Sequence, residues 1–193
     1  PPEIATIWRQ FCEMMRFDIT IRVADEGRVP FAAMAQITIV DAKTPDPIRL
    51  VDENDLTVSA MRNDHPPVVD SYALRFDAGG KSITFSGDTR YLPSLAGFAK
   101  NSDILVHEAM LAKGLDHVLA KTRTNDDRLK NHLLAAHSFA EQAGQIAAAA
   151  NVGHLVLNHL IPPERDICND ADWQAETVRS FDGRCSVGHD GMA

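Results

Sequence analysis

Apolar residues Ile4, Ile7, Trp8, Phe11, Cys12 and Met15 recur at helical spacing from Glu3 to Met15, with Pro1 and Pro2 standing where a helix's first amides lack partners. This pattern predicts an amphipathic helix. Asp18 to Ala24 (DITIRVA) and Gln36 to Asp41 (QITIVD) alternate apolar and polar residues around turn chemistry at Gly27 and Pro30, which predicts two half-buried strands. Leu56 to Met61 and Tyr72 to Phe76 continue the β character. Phe76 to Thr84 carries Gly79-Gly80 between two strand patterns, the local signature of a hairpin. The first half therefore reads as a β meander with one helix.

The grammar changes at Ser82. Ser82 to Phe85, Asp103 to Val106 and His154 to Leu157 are short apolar runs bounded by helix patterns at Tyr91 to Lys100 and Ala135 to Ala150. That alternation predicts buried parallel strands. A helix over Asp172 to Phe181 and a strand over Arg184 to Val187 close the chain, and Lys113 to Asn131 is a charged excursion. No repeat, linker or composition break divides the 193 residues, so one α/β domain is expected.

Composition narrows the function. With 45% hydrophobic and 24% charged residues the chain can bury a core, and a net charge of −8 disfavours generic binding to phosphate backbones or anionic lipid. No apolar run approaches the roughly 20 residues of a membrane span. Cys12, Cys168 and Cys185 form no CxxC pair and read as plain thiols. No secretory leader pattern follows Pro1, which favours a cytoplasmic location and leaves a periplasmic or secreted one to any upstream signal.

Three predicted strands end in polar residues: Ser86-Gly87-Asp88-Thr89, His107-Glu108 and Asn158-His159. Ligands of layered α/β sheets bind outside the carboxyl ends of strands, and a carboxylate with imidazoles suits Zn, Mn or Fe. Each residue also has a structural alternative. Asp88 could cap a helix, His159 could be a satisfied core histidine, and His137 could be a surface residue near a helix start. Of His107 and Glu108, strand alternation lets only one face the crevice. His65, before Pro66-Pro67, reads as a loop residue, and His117, His132, His154 and His189 carry no functional assignment.

Taken in order, SYALRFDAGGKSITFSGDT, ILVHEAM, HSFAEQAGQIAAAANVGHLVLNHLIPP and DGRCSVGHDGM resemble the metallo-β-lactamase superfamily, in the branch of ribonuclease Z and the arylsulfatase-like hydrolases. The resemblance implies a four-layer αββα sandwich with two zinc ions at one edge of its sheets. By the same resemblance Asp88 bridges the metals and His159 is the last metal-binding histidine. Glu108 and His137 lie beside the metals and serve the leaving group or the substrate, and His65 matches a histidine on the substrate side. The family signature HxHxDH has no counterpart here, so the chain is expected to be the C-terminal portion of a longer enzyme. Asp88 and His159 alone are then expected to hold metal poorly.

The implied activity is dinuclear metal-dependent hydrolysis of a phosphodiester, sulfate ester or carboxylic ester by a hydroxide bridging two zinc ions, with Mn or Fe as alternatives. His137 oriented by Glu108 is the general acid. A small-molecule ester is the expected substrate; nucleic acid is disfavoured and left open, no membrane partner is expected, and a homo-oligomer is compatible. A metal-free binding or regulatory protein on the same fold is the competing class, and an iron-dependent redox protein is a further one.

Overall fold

The computed structural model describes residues 3–40, 46–121 and 126–192, so the expectations for Pro1, Pro2, Asp41 and part of the Lys113 to Asn131 excursion lie outside it. The chain forms two compact units, Pro1–Lys43 and Thr44–Ala193.

In the first unit, helix α1 spans Ile4–Met14 as the periodicity predicts. The strand expected over Asp18 to Ala24 is instead helix α2, Arg16–Glu26, closed by Gly27 in the left-handed conformation. The same residues satisfy both periods, because Met15, Ile19 and Val23 fall four apart and line one groove with Phe11 and Phe31. Arg22 ties the helix surface by pairing with Asp18 four residues before it and Glu26 four after. The second expected strand is also absent: residues 35–40 are irregular, and Ile37 and Ile39 stay exposed. Trp8, Phe11 and Phe31 gather with centroids 5.1 to 6.1 Å apart, yet no described residue of this unit is buried.

The second unit contains a seven-stranded sheet in simple sequential order. Strands β1 (Ile48–Glu53), β2 (Leu56–Arg62), β3 (Tyr72–Ala78) and β4 (Lys81–Phe85) run as an antiparallel meander. Gly79 and Gly80 both take positive φ in the β3–β4 turn, as the hairpin signature requires. From β4 onward the pairing is parallel, through β5 (Ile104–Met110), β6 (His154–Ile161) and β7 (Arg184–Val187).

The helices depart more from expectation. Tyr91 to Lys100 yields only a single turn, α3 (Leu95–Phe98), because Pro93 interrupts its start. After α4 (Leu115–Ala120), the single helix expected over Ala135 to Ala150 is two, α5 (Arg128–Ala136) and α6 (Ala140–Ala150). Between them His137 and Phe139 are extended, and Phe139 forms a parallel bridge with Met110. The last helix, α7, is Asp170–Thr177, capped by the Asn169 side chain on the backbone N–H groups of Ala171 and Asp172.

Helix α6 buries Ala140, Ala143, Gly144, Ile146, Ala147 and Ala150 against β5, β6 and α7. Its small residues permit a close approach: a Cβ on Gly144 would sit 2.4 Å from Ser180 Oγ and 2.9 Å from the Thr177 carbonyl. Leu105, Leu155, Leu157 and Trp173 complete the core. The described residues thus supply one sheet with its packed helices, as expected for a C-terminal portion of the implied sandwich. Among them, no helix is long and apolar enough to cross a membrane.

Leu155→Ala should cost about 2–5 kcal/mol of unfolding free energy, because Leu155 is fully buried at the centre of this core. Ile39→Ala, half exposed, should stay within about 0.5 kcal/mol. Urea unfolding midpoints compare the two directly.

Candidate active site

The SGDT turn leaves β4 through a conformation that only glycine fits. Gly87 has positive φ, and a Cβ there would lie 2.7 Å from the Tyr72 carbonyl oxygen and 2.8 Å from Asn63 Nδ2. Asn63 Nδ2 donates to the Ser86 carbonyl at 2.7 Å, while the Glu108 N–H donates to Ser86 Oγ at 3.0 Å. The turn is therefore held by Asn63 at the end of β2 and by β5, and Asp88 projects from it half-buried.

Glu108 is almost wholly buried and organises what surrounds it. Its Oε1 accepts the backbone N–H of Thr89 at 3.1 Å and of Ser138 at 3.0 Å, tying the SGDT turn to the extended break between α5 and α6. Ser138 Oγ returns a hydrogen bond to the Thr89 carbonyl at 2.8 Å. His137 Nδ1 approaches Glu108 Oε1 to 3.3 Å without the alignment of a hydrogen bond. Both His137 Nδ1 and Glu108 Oε2 are left buried without a hydrogen-bond partner.

His107 behaves as the other member of the pair. Its ring is buried, with Nδ1 2.7 Å from the carbonyl oxygen of Glu108. A carbonyl only accepts, so Nδ1 carries the proton. Burial holds the His107 imidazole below its usual pKa.

His159 owes its orientation to a bulge. The β5–β6 register passes from Glu108↔Asn158 to Ala109↔Leu160, leaving His159 out of the ladder with a positive φ of 42°. The extra residue turns its side chain out, and Nε2 comes within 3.4 Å of Asp88 Oδ2. His159 also stacks on His137 with ring centroids 5.5 Å apart. Asp88, His159, His137 and Glu108 thus form one continuous chain of groups.

His65 comes to the same place from the β2–β3 loop, its ring 5.2 Å from that of His137 and 5.6 Å from that of His132. Desolvation first, and then the neighbouring His137, lower its pKa. His132, given no assignment from sequence, is a further member of the cluster, on α5 with its ring 5.7 Å from His137. Its spacing from His137 has no helical meaning once the helix ends at Ala136, so only the fold brings the pair together. His137 itself is the C-terminal cap of α5 and lies two residues before Phe139, the N-cap of α6, so it stands near a helix start as expected and also closes the helix before it.

Asp88 and His159 have suitable zinc donor atoms at a suitable spacing, but they are two ligands where a stable site takes three or four. They fit as part of a metal site.

Two variants test Glu108. Glu108→Ala leaves the Thr89 and Ser138 N–H groups buried and unpaired and should destabilise the fold by about 1–3 kcal/mol for each. Glu108→Gln keeps an acceptor oxygen and should lose less, as urea midpoints would show. A depressed imidazole pKa also predicts a pH dependence. The unfolded state takes up protons on His107 and His65 that the folded state resists, so stability is full above about pH 6.5 and falls as pH drops through the lowered folded values. His107→Gln should flatten that slope in denaturation series run across this range.

A model of the β-lactamase superfamily domain matches residues 14–160. A ribonuclease Z of Mycolicibacterium gilvum (strain PYR-GCK) is 27% identical over 198 residues, covering 98% of this chain and 62% of that protein. A ribonuclease Z of Mycobacterium avium (strain 104) is 28% identical over 190 residues, covering 98% and 63%. The chain therefore spans somewhat less than two thirds of these relatives. Among solved structures, the metallo-β-lactamase fold protein YhfI from Bacillus subtilis superposes with a TM-score of 0.55 at 24% identity, covering 77% of this chain and 52% of that one. Zn(2+)-bound PqqB from Methylobacterium extorquens gives a TM-score of 0.55 at 16% identity, with 75% and 52% covered. These two likenesses show the fold alone.

Proposed function

The chain belongs to the β-lactamase superfamily domain family, and from that premise we propose that it carries part of the active site of a metal-dependent hydrolase that cleaves phosphodiesters. The observation that carries this reading is the unbroken run Asp88, His159, His137, Glu108, in which a pair of metal-type donors touches an imidazole backed by a buried carboxylate. Relatives named ribonuclease Z favour a nucleic-acid phosphodiester over the small-molecule ester expected from the chain's negative charge.

Asp88 and His159 would hold divalent metal together with ligands beyond this pair. Bound ions of this class supply Lewis acidity and an activated water. The chain's own groups do the rest. His137 is the proton donor to the leaving oxygen, and its burial between Glu108 and His159 limits the positions its ring can take. Glu108 is the positioning residue, since it fixes Ser138 beside that imidazole and faces its Nδ1. His65, facing His137 from the opposite loop, stands where it can contact substrate.

A general acid matters most when the leaving group is a poor one. In the full-length protein, His137→Ala should lower kcat for an alkyl phosphodiester by roughly 10²- to 10⁴-fold. For bis(p-nitrophenyl) phosphate, whose leaving group needs little protonation, the loss should be much smaller. Equal losses on both substrates would assign His137 to positioning. Failure of the wild-type protein to hydrolyse either with added zinc or manganese would favour a metal-free binding protein on this fold.

A further inference from the structure

Beyond the Asp88–His159 pair lies a second convergence of ligand atoms. His65, His132 and His137 each present one ring nitrogen, and the three nitrogens lie within 4.8 Å of one another. Their ring planes cross at 87°, 75° and 89°, so the imidazoles meet as three separate edges around a point and are not stacked. We propose that His65, His132 and His137 form a three-histidine site for a zinc-class divalent cation, separate from the metal edge at Asp88 and His159.

Donor chemistry and number both suit this assignment. Neutral imidazole is the ligand that zinc, cobalt and copper prefer over magnesium or calcium, and three histidines with an open fourth position make a recurrent zinc arrangement. Zinc–nitrogen bonds of about 2.0–2.1 Å at tetrahedral angles place the nitrogens about 3.4 Å apart. The nitrogens, now within 4.8 Å of one another, draw closer when an ion binds. His132 and His65 are half-buried, which leaves solvent access for a fourth ligand.

The cluster also has the outer partner that such sites use. Metal-bound histidines hold their second nitrogen against a carboxylate, which sets the tautomer and the ring direction. His137 Nδ1 faces Glu108 Oε1 at 3.3 Å, leaving Nε2 for an ion. The buried atoms His137 Nδ1 and Glu108 Oε2 both lack a hydrogen-bond partner. An ion on Nε2 makes Nδ1–H a stronger donor, and a small rotation would satisfy both groups together.

The three ligands are held by two elements, the β2–β3 loop and helix α5 with its cap. A bridge between His65 and Val68 fixes the loop, and the backbone of Asp64 is tied to Thr89 and Arg90. His132 is on α5, and His137 caps its end. An ion there occupies the nitrogen that proton donation needs, so filling the site would silence His137.

Cobalt(II) titration of the 193-residue chain provides the test, because tetrahedral cobalt shows intense visible ligand-field bands that octahedral cobalt lacks. One tetrahedral cobalt per chain is expected, displaced by zinc. His132→Asn and His65→Asn should each weaken binding by more than the roughly 10- to 100-fold typical of losing an outer partner. Asp88→Asn, which keeps the His159 ring on His137, should leave the spectrum and affinity unchanged, with far-UV circular dichroism confirming that each variant is folded. The assignment is overturned if the wild-type chain gives no tetrahedral spectrum. It is equally overturned if both single histidine variants retain the bands, or if the Asp88 variant loses them. A chain inactive as a hydrolase would still bind the ion, so this outcome is separable from the proposed activity.

Discussion

The buried carboxylate of Glu108 is the constraint on which the rest of the site depends. An ionised or neutral carboxyl group with 1% exposure is costly unless its oxygens are engaged, and here one oxygen takes the N–H groups of Thr89 and Ser138. Those two amides belong to segments far apart in sequence. Glu108 therefore sets the distance between the turn that presents Asp88 and the break that presents His137.

The sheet contributes a second local irregularity. Parallel β5 and β6 run in register until Asn158, and then one extra residue forces His159 into the left-handed region. A non-glycine residue there costs energy that a plain strand would avoid, and such outliers gather where a side chain has to be aimed. The aim in this case is Asp88, across the end of the sheet. Had β6 continued without the bulge, alternation would have placed residue 159 within the ladder and away from the turn.

Legibility in the sequence follows the strength of local signals. The Gly79-Gly80 hairpin, the parallel strands and α1 are read directly, because turn chemistry and periodicity act within a few residues. DITIRVA misleads because seven residues with spaced apolar positions fit a helix as well as a strand, and Asp18 and Glu26 pairing with Arg22 favour the helix. The α5–α6 break is invisible for a different reason. Nothing in Ala135 to Phe139 forbids a helix, but Ser138 is drawn into extended pairing by Glu108, Thr89 and Met110. Tertiary hydrogen bonds override propensity there, and the same override hides His132.

That break also explains why a histidine at position 137 can be asked to do more than one thing. In a continuous helix its imidazole would share a face with residues one turn away, and His132, five residues earlier, would lie on another. Ending α5 at Ala136 frees His137 to turn its ring edge toward His65 and His132 while its face stacks on His159. With Nδ1 turned toward Glu108 at 3.3 Å, a single nitrogen faces every other partner, whether proton, substrate or ion. Competition for that nitrogen makes proton donation and metal capture mutually exclusive states of one side chain.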